Sequence, residues 1–352
     1  MISFESDYNN GCTPEILRRL ADTNDDRTSG YGSDSYCQSA IRRIREAVQM
    51  TDADVFFLTG GTQTNATVID SLLMGCEAVI TVETGHIAVH ESGAVEAFGH
   101  RVITLPAVDS KLTAATLDRF MDTFTADETA PHMVQPGMVY VSMPTELGMV
   151  YTRSELASLY EACRRHHLRL YIDGARLGYG LMSDACDYDL PFLARHCDVF
   201  YIGGTKVGAM FGEAVVFTGI SAPKYFFTTV KRHGALLAKG RMLGIQFDTL
   251  FTDGLYERIG ADAVRYADAI RRAMAENGYL PCFPSPTNQS FCIVSEQQRK
   301  ELAERVDFSV WEQYDETHSI IRFATSWATR EEDVNALCRI LRECTAQEKA
   351  AS

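Results

Sequence analysis

Short apolar runs alternate with segments of helical periodicity along about the first 220 residues of the chain. An apolar run of about five residues, bounded by polar or glycine-rich turns, is typical of a strand that is buried on both faces. Segments such as Arg153–His166, between these runs, suit helices. This alternation predicts an α/β fold in which helices cover a mostly parallel sheet. The predicted strands are Asp54–Leu58, Ala78–Val82, Arg101–Leu105, Met138–Ser142, Leu168–Ile172, Val199–Ile202 and Ala214–Phe217.

The pattern changes after about residue 220. It predicts one long helix at Leu255–Asn277, then a proline-rich turn, strands at Phe291–Val294 and Ile320–Phe323, and a last helix over about residues 330–346. Such an order indicates a small C-terminal α+β domain after the large α/β one. The first 35 residues are mostly polar and irregular, which favours an arm. We therefore expect an N-terminal arm at 1–35, a large domain at 36–250 and a small domain at 251–352.

Composition and charge narrow the possible classes of protein. The 352 residues include 33 basic and 47 acidic side chains, and the net charge of −14 disfavours nucleic-acid binding through the overall field. No apolar run reaches the ~20 residues that span a bilayer, and the first residues lack the features of a secretory signal. Ten cysteines are scattered without a CxxC pair, which favours thiols in a reducing compartment. We expect a cytoplasmic protein with no membrane and no nucleic-acid partner.

Lys206 is the first candidate for chemistry. It is one of seven lysines, and it lies between two predicted strands in the glycine-flanked segment GGTKVG. Ligands of α/β sheets bind where strands end, and glycine lets a backbone approach a ligand closely. A partly desolvated lysine has a lowered pKa and can form a Schiff base. The alternative is an ordinary loop lysine.

Asp173 directly follows the apolar run Leu168–Ile172, so we expect it at the end of a buried strand. Burial of a carboxylate is costly unless the group is paired. One interpretation is a helix cap. The other is an acid that pairs with a protonated ring nitrogen, which pyridoxal phosphate (PLP) requires in addition to a Schiff-base lysine. Arg176, three residues later, would suit a carboxylate or a phosphate.

Two further strand ends carry candidate residues. The segment TGGTQTN joins a predicted strand to a helix, and Gly60, Gly61 and Thr62 would offer an anion site there. A purely structural turn is the alternative, and the Walker A lysine is absent. His86 and His90 would share one helix face, but the sequence is not the HExxH zinc motif and we expect no metal. His86 can stack on a flat cofactor ring or form a structural hydrogen bond.

The glycine-rich turn, the histidine, DGAR and GGTK follow strands in this order. The combination resembles the PLP-dependent enzymes of aspartate-aminotransferase fold (fold type I) and, within them, the threonine aldolase branch of the β-eliminating lyase family. The similarity covers nearly the whole chain, from SFESDYNNG to IIRFATSWAT, and DGAR with the later GGTK is its most specific part. The resemblance implies PLP as the cofactor and a small amino acid as the substrate.

The resemblance also implies roles for individual residues. At the cofactor they are Lys206 as the Schiff-base lysine, Asp173 at the pyridine nitrogen, His86 on the ring, Gly60, Gly61 and Thr62 at the phosphate, and Arg176 beside them. At the substrate they are Arg176 and Arg322 on the carboxylate, with Ser6 and Tyr31. Because the family shares its sites between subunits, Tyr31 would approach the site near a subunit boundary. A homodimer or homotetramer is therefore expected.

Two segments depart from the family's pattern. Many threonine aldolases carry Asn-Thr-His in the loop after the middle strand, whereas this chain has Pro144, Thr145 and Glu146. A carboxylate at this position can accept a proton from a substrate hydroxyl, change the choice of substrate, or only cap a turn. The family also sends a basic segment into the neighbouring subunit's phosphate site. Lys239 and Arg241 are the candidates here, although their spacing differs from the common one.

The function implied by the resemblance is that of a PLP-dependent carbon–carbon lyase. It would cleave a β-hydroxy-α-amino acid, of the threonine or allo-threonine type, to glycine and an aldehyde. β-Elimination or transamination of another amino acid is the alternative, because the same groups serve each reaction. A catalytically silent interaction protein is a third interpretation, which the presence of Lys206, Asp173 and Arg176 together disfavours.

Overall fold

The computed structural model describes residues 1–351, with side chains described through Cys344. The strands are β1 Ile2–Ser3, β2 Asp54–Leu58, β3 Glu77–Val82, β4 Val102–Leu105, β5 Gln135–Ser142, β6 Arg169–Asp173, β7 Val199–Gly203, β8 Glu213–Phe217, β9 Leu280–Pro281, β10 Gln289–Ser295, β11 Val306–Asp307, β12 Ser309–Gln313 and β13 His318–Ala324. The helices are α1 Pro14–Asp22, α2 Ser35–Val48, α3 Gly61–Leu72, α4 His86–Val89, α5 Ala114–Ala126, α6 Arg153–Arg165, α7 Leu177–Leu181, α8 Leu190–Arg195, α9 Phe226–Arg232, α10 Arg241–Leu250, α11 Leu255–Glu276, α12 Glu296–Ala303 and α13 Glu331–Ala351.

Seven strands form the central sheet, in the order β2-β8-β7-β6-β5-β3-β4. The pairings among β3, β4, β5, β6 and β7 are parallel, whereas β8 runs antiparallel to both β2 and β7. Because both faces of the sheet are covered, its inner strands are buried along their length, as in Val199–Gly203. The predicted mostly parallel sheet is confirmed, and all seven predicted strands belong to it.

Apolar helix faces cover the two sides of this sheet. One cluster of buried side chains joins the sheet to α2 and α6, through residues such as Ile44 and Leu156. The other cluster joins it to α3 and α9, through Val68 and Val230. The sequence therefore forms the two covering layers that the alternating pattern predicts. None of the helices within residues 1–351 is long and apolar enough to cross a membrane.

A second sheet has four antiparallel strands in the order β12-β13-β10-β9. Buried residues of α11, α12 and α13, such as Ile270, Leu302 and Leu337, pack with it in a separate apolar cluster. This confirms the predicted C-terminal α+β arrangement. The sequence pattern does not predict β12, because SVWEQ alternates poorly and lies at a sheet edge, where Val310 is 50% exposed.

The N-terminal segment is more regular than the sequence suggests. β1 pairs in parallel with β11, which joins the first residues to the C-terminal part of the chain. The Thr13 side chain caps α1, Pro14 opens its first turn, and Ile16 is buried under it. The expectation of an irregular segment is therefore wrong for α1, because the cap and the buried face stabilise a helix there. The domain boundaries at residues 35 and 250 stay predictions.

Candidate active site

A cavity of about 350 Å³ lies at the carboxyl ends of the parallel strands of the central sheet. Ser142 and Asp173 end β5 and β6, and Lys206 follows the end of β7. Gly60 and Gly61 reach the same cavity from the junction of β2 with α3. Because parallel strands present their carboxyl ends at one edge of a sheet, residues far apart in the sequence converge there.

Asp173 is a buried carboxylate whose two oxygens are both hydrogen-bonded. The hydroxyl groups of Tyr201 and Tyr140 donate to Oδ1 and Oδ2, respectively, each at 2.5 Å. The backbone N–H of Ala175 also donates to Oδ1. Burial would raise the pKa of Asp173, but the charge of His86 and these hydrogen bonds hold it below its ordinary value. The carboxyl group is therefore an anion suited to stabilising a proton on a ligand.

Asn65 and Glu91 connect Asp173 to His86. The amide nitrogen of Asn65 donates to Oδ2 of Asp173 at 3.0 Å and to Oε1 of Glu91 at 2.7 Å. Tyr171 donates to the amide oxygen of Asn65 and so fixes the orientation of the amide. The same Glu91 oxygen lies 2.7 Å from Nδ1 of His86. Burial would lower the pKa of His86, but the Glu91 hydrogen bond and the charge of Asp173 raise it. This chain of contacts orients the imidazole ring at the cavity wall.

Lys206 is partly exposed to the cavity, and neighbouring side chains fix its backbone. The Tyr179 hydroxyl donates a hydrogen bond to the carbonyl oxygen of Lys206 at 2.5 Å. Glu213, at the start of β8, accepts hydrogen bonds from the two residues before Lys206. Burial, and then the charge of Arg176, lower the pKa of the Lys206 amine. An amine with a lowered pKa is a better nucleophile at neutral pH.

Glu146 also lines the cavity, in the loop after β5. The Ser142 hydroxyl donates to Oε1 of Glu146 at 2.6 Å, and the backbone N–H of His86 donates to the same oxygen at 2.8 Å. Burial raises the pKa of Glu146. The carboxyl group therefore holds the start of α4 with one oxygen, as a cap would, and has the other oxygen left for a ligand.

Arg176 is bound to the N-terminal segment. Its Nε and Nη2 donate to the two carboxylate oxygens of Asp7 at 2.6 and 3.0 Å, and Asn288 donates to Asp7 at 2.9 Å. Burial would raise the pKa of Asp7, but the charges of Arg176 and Lys206 lower it to about 2. Since Asp7 occupies one edge of the guanidinium group, Nη1 is the nitrogen of Arg176 that is left for a ligand.

Arg322 and Ser6 lie outside the cavity wall, beside the Arg176–Asp7 pair. Arg322 donates through Nη1 to Gln289 at 2.9 Å and through Nη2 to the backbone oxygen of Glu5 at 3.2 Å. Burial and the charge of Arg176 lower the pKa of Arg322 to about 10. Within the described residues, Nε of Arg322 and the hydroxyl of Ser6 are buried polar atoms without a partner. Buried donors of this kind are expected where a polar ligand binds.

The first turn of α3 contributes Gly60, Gly61 and Thr62 to the cavity wall. Gly60 precedes the helix, and no side chain caps the turn. A Cβ atom on Gly61 would lie 3.2 Å from the Tyr201 hydroxyl, so the close packing favours glycine at this position. The first N–H groups of a helix have no partner inside the helix and can bind an anion.

Tyr31, Lys239 and Arg241 lie elsewhere on the chain. Tyr31 borders a second, largely apolar cavity of about 260 Å³, and the Lys231 amine lies 4.8 Å from its ring centre. Arg241 donates to two backbone carbonyls after α1, and Lys239 is exposed. Within one chain, these residues therefore do not reach the cavity that contains Lys206.

Several residues that the structure brings to the cavity, or that bind residues of its wall, are not predicted from the sequence. They are Asp7, Tyr8, Asn65, Glu91 and Glu213. A signal does exist for two of them, because Asn65 is polar on a buried stretch of α3 and Glu213 opens an apolar strand. Buried polar residues in such surroundings need partners, and the partners here are other site residues.

The order of strands and the position of the cavity define the aspartate-aminotransferase fold (fold type I), as predicted. A solved aspartate aminotransferase from Thermus thermophilus has this fold, with a TM-score of 0.69 and 14% identity over 98% of this chain and 91% of that one. The sequence model of the family described as Beta-eliminating lyase matches residues 3–305. This chain belongs to the beta-eliminating lyase family, which confirms the resemblance found in the sequence.

Two relatives are similar over nearly the whole length of this chain. A low specificity L-threonine aldolase from Pseudomonas sp. (strain NCIMB 10558) is 30% identical over 349 residues, which are 96% of each chain. A solved threonine aldolase from Leishmania major is 39% identical, with a TM-score of 0.95 over 98% of this chain and 100% of that one. The threonine aldolase branch expected from the sequence is therefore confirmed.

Proposed function

We propose that this chain is a PLP-dependent lyase that cleaves a β-hydroxy-α-amino acid of the threonine type to glycine and an aldehyde. The proposal rests on the convergence of Lys206, Asp173 and the first turn of α3 on one cavity, in a chain that aligns with a threonine aldolase over 96% of its length. The expected activity agrees with the names of the two full-length relatives.

The side chains of the cavity fit PLP. Its aldehyde requires an amine, its ring nitrogen an anionic partner, and its phosphate a set of N–H donors. We assign these roles to Lys206, to Asp173 and to the turn that contains Gly60, Gly61 and Thr62, with His86 against the ring. When bound, PLP supplies the electron sink for the bond that breaks at Cα of the substrate. The chain's part is to orient the groups and to keep Asp173 ionised through its four hydrogen-bond donors.

We assign the substrate carboxylate to Arg322, Ser6 and Nη1 of Arg176. The support is chemical, because two of these residues carry buried donors that lack a partner within the described part of the chain. The Asp7 carboxylate binds Nε and Nη2 of Arg176 and so fixes the orientation of the guanidinium group, including Nη1. Tyr31 stays a candidate that a neighbouring subunit would contribute.

Arg322→Ala should raise KM for the amino acid by about tenfold or more, since hydrogen bonds to charged groups contribute about 1.5–3 kcal/mol. The dissociation constant of PLP should change less, because the proposed contacts with PLP do not include Arg322. Both constants are measured separately, with Arg339→Ala on the exposed face of α13 as the control. A variant that loses PLP before it loses amino-acid affinity would contradict this assignment.

Cleavage requires a group that receives the hydrogen of the β-hydroxyl. We assign this role to Glu146, through the oxygen that neither Ser142 nor the His86 N–H engages. The hydroxyl proton would move to this oxygen, the remaining oxygen lone pair would close the carbonyl of the aldehyde, and the electron pair of the Cα–Cβ bond would stay with the glycine fragment. Glycine later gains a proton at Cα, so the reaction is neutral in protons overall.

Glu146→Gln should lower kcat for cleavage and leave glycine binding nearly unchanged, because an amide cannot accept the proton. Burial raises the pKa of Glu146, so the basic form of the wild-type residue is lost as the pH falls through that raised value. The acid limb of the kcat/KM profile should therefore disappear in the variant. Glu161→Gln, on the exposed side of α6, is the control. An unchanged pH profile and rate in well-folded Glu146→Gln would leave this residue only its role at the start of α4.

The proposed activity is tested by incubating the PLP-loaded protein with a panel of amino acids, including threonine and allo-threonine. Equal amounts of glycine and aldehyde are the expected products. Release of ammonia with a keto acid, or transfer of the amino group to an added keto acid, would instead indicate β-elimination or transamination. A protein that binds PLP and converts no amino acid of the panel would refute the proposal.

We also propose that the chain forms a homodimer or homotetramer in the cytoplasm. The second cavity supports association, because exposed Tyr31 and Phe227 border it with other apolar residues. Closed symmetric assemblies are the usual form of homo-oligomers. Nine cysteines, from Cys12 to Cys338, are thiols rather than disulfides, which agrees with a reducing compartment.

A further inference from the structure

Glu213 is a buried carboxyl group beside Lys206 that none of the roles above uses. It lies opposite Gly203 in the pairing of β8 with β7, and it lines the same cavity as Lys206. Only 3% of the residue is exposed. An acidic side chain is rarely buried to this extent in an otherwise apolar strand unless it has partners.

Both oxygens of Glu213 hold the turn that leads to Lys206. The backbone N–H of Gly204 donates to Oε2 at 3.0 Å, and the Thr205 hydroxyl is bonded to Oε1 at 2.8 Å. Oγ1 of Thr205 also accepts the N–H of Gly212 at 3.0 Å, which closes the turn onto β8. Glu213 thus binds the two residues that precede Lys206 and holds the turn that carries the lysine.

Glu213 and Lys206 also influence each other's charge. Burial raises the pKa of Glu213 to about 8, which favours the uncharged form of its carboxyl group near neutral pH. Burial lowers the pKa of the Lys206 amine. An uncharged acid provides no counter-ion for an ammonium group, whereas an ionised one would stabilise it. The other titratable groups around this pair are Arg176, Asp7, Asp173, Tyr171, Tyr201 and Tyr256.

We propose that Glu213 is a positioning residue for Lys206, whose carboxyl group fixes the turn before the lysine and, while uncharged, adds no further negative charge to those of Asp7 and Asp173 around the amine. This inference rests on the proposed role of Lys206 and specifies how the chain prepares that amine. The amide of glutamine resembles the uncharged acid in shape but cannot ionise. Glu213→Gln therefore separates the charge of this residue from its place in the turn.

The test measures acylation of Lys206 by acetic anhydride in the full-length chain prepared without PLP. Mass spectrometry of the Lys206 peptide gives the rate at each pH, and exposed Lys224 in the same sample is the internal reference. Below pH ~7 the wild type and Glu213→Gln should react alike, because Glu213 is uncharged in this range. Above pH ~8 the variant should react several-fold faster, since ionised Glu213 holds a proton on the wild-type amine.

Glu213→Ala tests the contact with the turn. Like the glutamine variant, it should lack the slower acylation that the wild type shows above pH ~8. It should also bind PLP at least about tenfold more weakly than the glutamine variant, because both hydrogen bonds to the turn are lost. Identical acylation curves for the wild type and Glu213→Gln over the whole pH range would overturn the charge effect. Equal PLP affinities of Glu213→Gln and Glu213→Ala would overturn the positioning role. Protection of Lys206 from acylation by added PLP is a separate measurement, and its absence would count against the proposed function instead.

Discussion

Lys206→Ala is expected to abolish cleavage of the amino acid and the visible absorption band of the Schiff base between PLP and the lysine. Lys206 is the lysine that lines the cavity among the described residues, so no other amine is placed to replace it. We expect kcat to fall by at least about a thousandfold, a loss of ~4 kcal/mol of transition-state stabilisation. PLP should still bind through the first turn of α3 and Asp173, because those contacts do not involve the lysine.

The measurement combines kcat with the visible spectrum of the PLP-loaded protein before and after treatment with borohydride. Borohydride should fix PLP covalently to Lys206 in the wild type and leave it removable in the variant. Lys224→Ala is the matched control, since Lys224 is exposed outside the cavity and its loss should change neither result. A variant that keeps the band and its borohydride-fixed cofactor would show that another lysine holds PLP.

Asp173→Asn should lower kcat by about a hundredfold, or ~3 kcal/mol in the barrier, without unfolding the chain. An amide has no negative charge with which to stabilise a proton on the ring nitrogen, so the cofactor draws electrons from the substrate less strongly. The side chain keeps its size, and the hydroxyl groups of Tyr140 and Tyr201 can rotate to pair with an amide.

Asp198→Asn provides a control for burial in the same sheet. Asp198 is also a buried aspartate, but it precedes β7 at the opposite end from the cavity and accepts the backbone N–H of Leu170. Its replacement should affect the melting temperature more than kcat. A near-normal kcat in well-folded Asp173→Asn would exclude Asp173 from the proposed role.

The parts of the structure that depend on local sequence were predictable. Strands buried on both faces, such as Val199–Gly203, are recognisable because nearly every side chain in them is apolar. The ends of neighbouring strands then place Asp173 and Lys206 at one edge of the sheet, before any contact is known. The family resemblance supplied the remaining assignments, since no pattern in the sequence links Arg322 to this edge.

The contacts between site residues were not predictable in this way. Glu91 lies five residues after His86, but its contact with Asn65 depends on how α3 packs against the sheet. Asp7 pairs with Arg176 across 169 positions of the chain, a separation at which sequence periodicity carries no information. The edge strand β12 was missed for a related reason, because solvent covers much of it and imposes no apolar alternation.

The pairing of β1 with β11 has a consequence for the order of events during synthesis. Ile2 can pair with Val306, and Asp7 can receive its hydrogen bond from Asn288, only after almost the whole chain has left the ribosome. The central sheet, whose strands end at Phe217, can form earlier and without them. Contacts that close such long loops form late in folding. In a nascent chain, Lys206 is therefore expected to lie on a formed sheet before Asn288 and β11 are available. Until then, Asp7, the carboxylate partner of Arg176, lacks the contacts that hold it in place.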